Sequence, residues 1–209
     1  MQLFLSSSNE GLHLIAQKLP KKGRGLKVIL SSNATDNIPG NHPWVSGDIK
    51  AFEKMGAKVL PVDLRKMTKV DFVKMLKAFD LIHFTGGSPL TLLLLLKQKG
   101  FDSLISLAVK KGKIIYSGTS AGSMIAPDDV TLLTYDEDEK EYVKELKDFK
   151  GLGLVDFLFL PHGNQQEFIS YAQSIVGYLP KHHKALVLIN DKQVASVTEK
   201  GVEIMTGGK

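Results

Sequence analysis

Short apolar runs separated by longer amphipathic stretches set the main constraint on how this chain can fold. Leu3 to Leu5, Val28-Ile-Leu30, Lys58-Val-Leu-Pro-Val62, Leu81-Ile-His-Phe84, Lys113-Ile-Ile-Tyr-Ser117 and Val155 to Leu160 each read as a strand. Strands that are apolar at consecutive positions need cover on both faces, which a mainly parallel sheet with flanking helices supplies. Between the runs, helical spacing is found through Leu12, Ile15 and Leu19, from Val45 to Met55, and from Ser103 to Lys111 before Gly112. Thr68 is placed to cap a helix with Val70, Phe72, Val73, Leu76 and Phe79 on its apolar face. Ser88 before Pro89 forms a cap and first-turn pair for a helix through Leu90 to Lys97. Ser31 to Pro43 reads as a polar loop and Asp136 to Lys150 as a solvated, charged excursion. Ala185 to Ile189 and Gln193 to Val197 predict a hairpin turned at Asn190-Asp191. The expected fold is α/β, a mainly parallel central sheet flanked by helices on both faces, in a single domain over residues 1–209.

Composition removes several kinds of chemistry. The chain has no cysteine, which excludes disulfides, thiolate metal sites and a thiol nucleophile. Its longest apolar run, Leu92 to Leu96, is far short of the roughly 20 residues of a membrane span. The N-terminal Met-Gln-Leu-Phe-Leu lacks the basic region of a signal peptide, so a cytoplasmic location is expected. The 27 Lys and Arg exceed the 22 Asp and Glu, giving a net charge of +5. They are scattered, apart from Lys21-Lys22-Gly23-Arg24, and lack interleaved aromatics. That favours a solvated basic surface over a nucleic-acid site.

Gly118-Thr119-Ser120-Ala121-Gly122 matches Gly-x-Ser-x-Gly and follows directly on an expected strand. In that context the serine sits on a tight strand-turn-helix connection, with its hydroxyl at the carboxyl edge of the sheet. The amide of Ala121 would face a developing oxyanion. The bland alternative is a turn with a capping serine. A base is needed, and six histidines are present: His13, His42, His83, His162, His182 and His183. His13 and His42 read as surface residues and His83 as a satisfied core histidine. His162 follows the apolar run ending at Leu160-Pro161, so it falls at a strand end and is the best-placed base. A loop histidine bonded to backbone is the competing reading. Thr85-Gly86-Gly87-Ser88 ends another strand and can offer a second oxyanion donor from Gly87 or Ser88. It lacks the spacing of a phosphate loop.

Three blocks, Thr-Gly-Gly-Ser-Pro, Gly-Thr-Ser-Ala-Gly-Ser and Gly-Leu-Gly-Leu-Val-Asp-Phe-Leu-Phe-Leu-Pro-His-Gly-Asn, resemble the aspartyl dipeptidase (peptidase E) family, serine peptidase family S51. The resemblance runs through most of the chain in order. It implies a fold related to class I glutamine amidotransferases, with a nucleophile elbow at Ser120, His162 as base and Gly87, Ser88 and Ala121 around the oxyanion hole. It further implies hydrolysis of dipeptides, including those with N-terminal aspartate, through an acyl-enzyme and without metal or cofactor. A small peptide is the expected partner, with neither nucleic acid nor membrane, and a homodimer is an open alternative.

Two features depart from the family pattern. A Glu is expected ahead of the penultimate strand, where His182 stands, and no carboxylate lies between Glu167 and Asp191. The third catalytic member is therefore open among Asp191, Asp136 and His182, with Asp156 also in reach of the argument. Asp191 has a competing account as a turn residue, and Asp136 as one acid of a solvated run. The only arginines, Arg24 and Arg65, are remote from the motifs, so recognition of an aspartyl side chain does not carry over. Asn164 and Gln165 are candidates for binding substrate polar groups, with capping as an equal account of Asn164. The alternatives to a peptidase are a small esterase or a relative that binds a small ligand with lost turnover.

Overall fold

The computed structural model describes residues 1–176 and 184–207. Its first half runs β1 (Gln2–Ser6), β2 (Lys27–Ser31), α1 (Pro43–Lys54), β3 (Lys58–Val62), α2 (Lys69–Ala78), β4 (Leu81–Phe84), α3 (Pro89–Lys99) and α4 (Asp102–Lys110). The second half runs β5 (Ile115–Thr119), α5 (Ala121–Met124), α6 (Lys140–Val143), β6 (Leu158–Leu160), α7 (Gln166–Val176), β7 (Leu186–Leu188), β8 (Gln193–Thr198) and β9 (Gly201–Thr206).

Side chains alternate across a strand, so consecutive apolar residues feed two cores. Leu3, Leu5, Ile29, Ile82 and Phe84 enter one core with α2, α3, α4 and α5. Phe4, Val28 and Leu81 enter the other with Phe52 of α1 and with Leu12, Leu14 and Ile15. The sheet is thus covered on both faces, as its apolar runs require. Its order is β3-β2-β4-β5-β1-β8-β9, parallel from β3 to β1 and antiparallel from β1 onward. Pro61 occupies the edge strand β3, where a missing amide costs no ladder bond.

Several expectations shift. The helix through Leu12 and Ile15 is a 3-10 turn (Leu12–Gln17), followed by a second at Pro20–Gly23. Apolar residues three apart serve either helix type, and Pro20 halts the first turn. The polar stretch after β2 holds one more such turn at Asn33–Thr35. Thr68 does cap α2, accepting the Asp71 amide, but Val70 points to water at 64% exposure. The strand expected from Val155 starts at Leu158, because Val155 bridges to Pro127 instead.

The C-terminal hairpin is in a different place. Leu186–Leu188 pairs in parallel with Leu158–Leu160, forming a small two-stranded sheet. The Gln193–Thr198 strand pairs with β1 and with β9, and the hairpin turns at Glu199-Lys200. Asn190-Asp191 therefore links two sheets rather than two arms of a hairpin. Each strand has found a buried partner, which outweighs the local turn preference of Asn-Asp.

The charged excursion is only partly solvated. Glu139 is 4% exposed, and its carboxylate accepts the Leu90 amide at 3.0 Å and lies 2.9 Å from the Ser88 hydroxyl. Burial pushes its carboxyl up to about 7, against the hydrogen bonds from Ser88 and Leu90 and with repulsion from Asp136 and Asp138. An unfolded Glu ionises near 4.5, so the folded chain holds a proton that the unfolded chain has lost between these values. Stability from this group is present below pH 4.5 and falls as pH rises towards 7, by about 3 kcal/mol. Glu139→Gln, which keeps the acceptor and cannot ionise, is expected to remove that fall. Urea unfolding at pH 4.5, 6 and 7.5 would show it as converging or parallel curves.

Candidate active site

The topology brings three strand ends to one edge. β5 leads directly into Ser120, its parallel neighbour β1 leads into Ser7, and the antiparallel β8 begins two residues after Asp191. The small sheet delivers the remaining pieces. Leu160 and Leu188 are paired, so His162, two residues beyond one, and Asp191, three residues beyond the other, emerge side by side.

Ser120 has φ 45° and ψ −110°, a conformation costing on the order of 1–3 kcal/mol for a residue with a side chain. It is held there by its amide, shared between the carbonyls of Ser6 (3.0 Å) and Ser7 (3.1 Å). The Ser123 hydroxyl staples α5 down, donating to the Ser6 and Gly118 carbonyls. Close approach explains the two glycines of the motif. A Cβ on Gly118 would lie 2.4 Å from the Gly122 carbonyl carbon, and one on Gly122 would lie 2.2 Å from the Phe84 carbonyl oxygen. Gly122→Ala is expected to destabilise the fold by about 3 kcal/mol through this overlap, read as a lower midpoint in urea with an unchanged slope.

The Ser120 hydroxyl lies 3.0 Å from Nε2 of His162, whose Nδ1 is 2.6 Å from Oδ1 of Asp191. A carboxylate only accepts, so Nδ1 carries the proton and Nε2 offers its lone pair to the Ser120 hydroxyl. His162 is itself at φ 61°, a second strained residue in the same contact. The Ser7 hydroxyl accepts the His162 amide at 2.7 Å and donates to Asp191 Oδ1 at 2.8 Å. Gln165 donates to Asp191 Oδ2 at 2.8 Å, Asn164 accepts the Asp191 amide at 2.9 Å, and Ser8 donates to the Asp191 carbonyl. Burial works against charge on Asp191, yet the hydrogen bonds from Gln165, Ser7 and His162 outweigh it and hold the carboxyl below its ordinary range. A hydroxyl, an imidazole and a fixed carboxylate in this order can move a proton off the hydroxyl as its oxygen attacks a carbonyl.

The amides of Gly87 and Ala121 donate to no protein acceptor among the described residues. Gly86 packs against Ser120, since its Cβ would be 3.4 Å from that of Ser120, and its carbonyl accepts the Trp44 indole N–H. Gly87 has φ 144° and abuts the Ala34 carbonyl, so no side chain fits there. Ser88 is turned away from the edge. Its amide donates to Ala34 at 2.8 Å and its hydroxyl caps α3 by accepting the Thr91 amide, which removes it as an oxyanion donor. The N-cap geometry demands this direction.

Of the other expected residues, His83 is a satisfied core histidine between Ser117 and Asp48, and His13 is exposed. His42 is half-buried rather than exposed. Asp136 accepts the Asp138 amide within the 136–150 excursion, and Asp156 is exposed in a separate hollow beside Met1 and Glu199. His182 and His183 lie outside the described residues. Asn164 and Gln165 serve Asp191 first, not a substrate. Ser7 and Ser8 were not singled out by sequence, although a triple serine after a buried strand is a signal for hydroxyls at a sheet edge. Among the described residues, no group of three His, Asp or Glu is arranged to hold a metal ion.

The site opens into a cavity of about 420 Å³ lined by Ser8, Glu10, Ile38, Trp44, Asp48 and Phe168 beside the residues already named. The family model for peptidase family S51 matches residues 40–205. The chain belongs to peptidase family S51. An uncharacterised peptidase of Listeria innocua, Lin0382, is 31% identical over 79% of this chain and 78% of its own length. Another, PM1590 of Pasteurella multocida, is 30% identical over 76% and 79%. A crystal structure of a Listeria monocytogenes EGD-e protein provisionally assigned to peptidase E superposes with a TM-score of 0.86 at 26% identity, covering 99% of this chain and 98% of that one. The S51 chain therefore shares the α/β fold of a peptidase E-like structure, and it is a peptidase by family.

Proposed function

We propose that this S51 chain is a serine peptidase of short peptides, acting through an acyl-enzyme on Ser120. The observation that carries the reading is the hydrogen-bonded series Ser120–His162–Asp191 in the lining of a cavity. As Ser120 Oγ attacks the scissile carbonyl carbon, its proton passes to His162 Nε2. The oxyanion so formed is met by the amides of Gly87 and Ala121. Collapse breaks the C–N bond, and the imidazolium hands its proton to the leaving amine. Water, deprotonated by the same imidazole, then attacks the acyl carbon and releases the acid with Ser120 restored. Asp191 holds the tautomer that this requires and stabilises the imidazolium.

A cavity of about 420 Å³ is at the small end of ligand sites and suits a dipeptide better than a long chain. Asp191 also supplies the carboxylate whose absence at the His182 position motivated a non-catalytic reading. The test is covalent. A fluorophosphonate should label the protein stoichiometrically, with the adduct on the peptide containing Ser120 by mass spectrometry. Labelling elsewhere, or none, would sink the proposal. An esterase would reveal itself by turning over short p-nitrophenyl esters faster than any member of a dipeptide panel.

A further inference from the structure

The lining of the cavity carries an electrostatic pattern that bears on its substrate. Among the described residues its ionisable side chains besides His162 are Glu10, Asp48 and Asp191, and neither Lys nor Arg lines it. Asp191 is spent on His162, Ser7 and Gln165. Asp48 is different. It is 1% exposed, on α1, and its Oδ2 receives both the Thr119 hydroxyl at 2.6 Å and His83 Nε2 at 3.0 Å. Its other oxygen, Oδ1, is buried and has no hydrogen-bond partner among the described residues. An unpaired buried carboxylate oxygen is expensive, and Asp48 lines the cavity, so Oδ1 marks a place for a donor on a ligand. Thr119 immediately precedes Ser120 and ties the carboxylate to the end of β5, and Asp48 and Ser120 line the same cavity.

The geometry points to Asp48 as the acceptor for the protonated α-amine of a peptide substrate. This rests on Ser120 being the residue acylated, because the amine of a first residue is one carbon from the carbonyl under attack. Glu10, exposed at the rim and without an ion pair among the described residues, adds attraction of the same sign. The first side chain then meets Trp44, whose ring is pinned by its bond to Gly86, together with Ile38 and Phe168. That surface suits an apolar side chain. An N-terminal aspartate would bring a carboxylate among acids with no Lys or Arg among the described lining residues to receive it, which costs binding rather than supplying it. The substrate class is therefore a short peptide with a free N-terminus and an apolar first residue.

A matched pair of boronic acids tests this on the intact protein. 1-Amino-3-methylbutylboronic acid and 3-methylbutylboronic acid differ only in the amine. Each boron takes the Ser120 oxygen to become tetrahedral, with the hydroxyl proton moving to His162 and no group leaving. Calorimetric titration of wild type is expected to show the amino compound binding roughly 30-fold more tightly, the range of one charge-assisted hydrogen bond. Asp48→Asn should reduce that preference to within about threefold, leaving the des-amino compound bound as before. Equal binding of the two by wild type would overturn the amine site and leave the serine chemistry standing. Binding of neither would remove the serine chemistry and this inference with it. A preference that survives in folded Asp48→Asn would take the role from Asp48. If that variant does not fold, the wild-type pair still decides.

Discussion

Ser120→Ala is expected to lower kcat for a hydrolysed dipeptide by on the order of 10⁶-fold, the scale seen when the nucleophile of such a series is removed. The effect should fall on kcat, because the substrate is held elsewhere, by the cavity wall. Fold should be unaffected or slightly improved. Alanine carries the same Cβ and meets the same strained φ of 45°, while the hydroxyl's one strong partner, His162, is left facing the cavity. Steady-state kinetics on purified variant and wild type, with circular dichroism to confirm folding, checks both halves. A variant retaining a hundredth of the activity would show that Ser120 is not the attacking group.

Asp191→Asn is expected to cost about 10⁴-fold in kcat with little change in KM. The amide of asparagine can donate to Nδ1, which favours the proton on Nε2 and removes the lone pair that Ser120 needs. The Asn oxygen, in the Oδ2 place, should still accept from Gln165, and Ser7 still accepts the His162 amide, so His162 stays close to its place. Fluorophosphonate labelling should slow by a similar factor without disappearing. Asp136→Asn, by contrast, is expected to leave kcat unchanged, which separates the two acids that remained open in the sequence. Parallel progress curves for wild type and both variants suffice.

Those open acids show where local reasoning ends. The parallel strands, the Ser88 cap and the Ser120 turn could be read because each is a short-range matter of spacing and residue type. Ser120 and His162 were legible for the same reason: both follow apolar strands directly. Asp191 could not be assigned, since its role depends on which strands pair. Read as neighbours in a hairpin, 185–189 and 193–197 make Asn190-Asp191 a turn. Paired instead with β6 and β1, they make the same residues a bridge that places a carboxylate against His162. Glu139 was hidden by its neighbours. Surrounded by Asp136, Glu137, Asp138 and Lys140, it has no sequence mark of burial, and only the packing of the excursion on the start of α3 reveals it. Ser88 misled differently, because the demands of a helix cap and of an oxyanion donor point its groups in opposite directions. Asp48 carries no local signal either, being a lone acid on a helix whose significance comes from Thr119 and His83.

The antiparallel seating of β8 beside β1 has a temporal consequence. During synthesis the stretch through Ser120 and its glycine loop emerges with residues 1–124, ahead of the strands that cover it. His162 has no orienting carboxylate until residue 191 has emerged and the following strand has closed against β1. On the proposed reading, the series Ser120–His162–Asp191 is complete only after that closure. On that reading competence follows the docking of a strand rather than the making of the Ser120 turn.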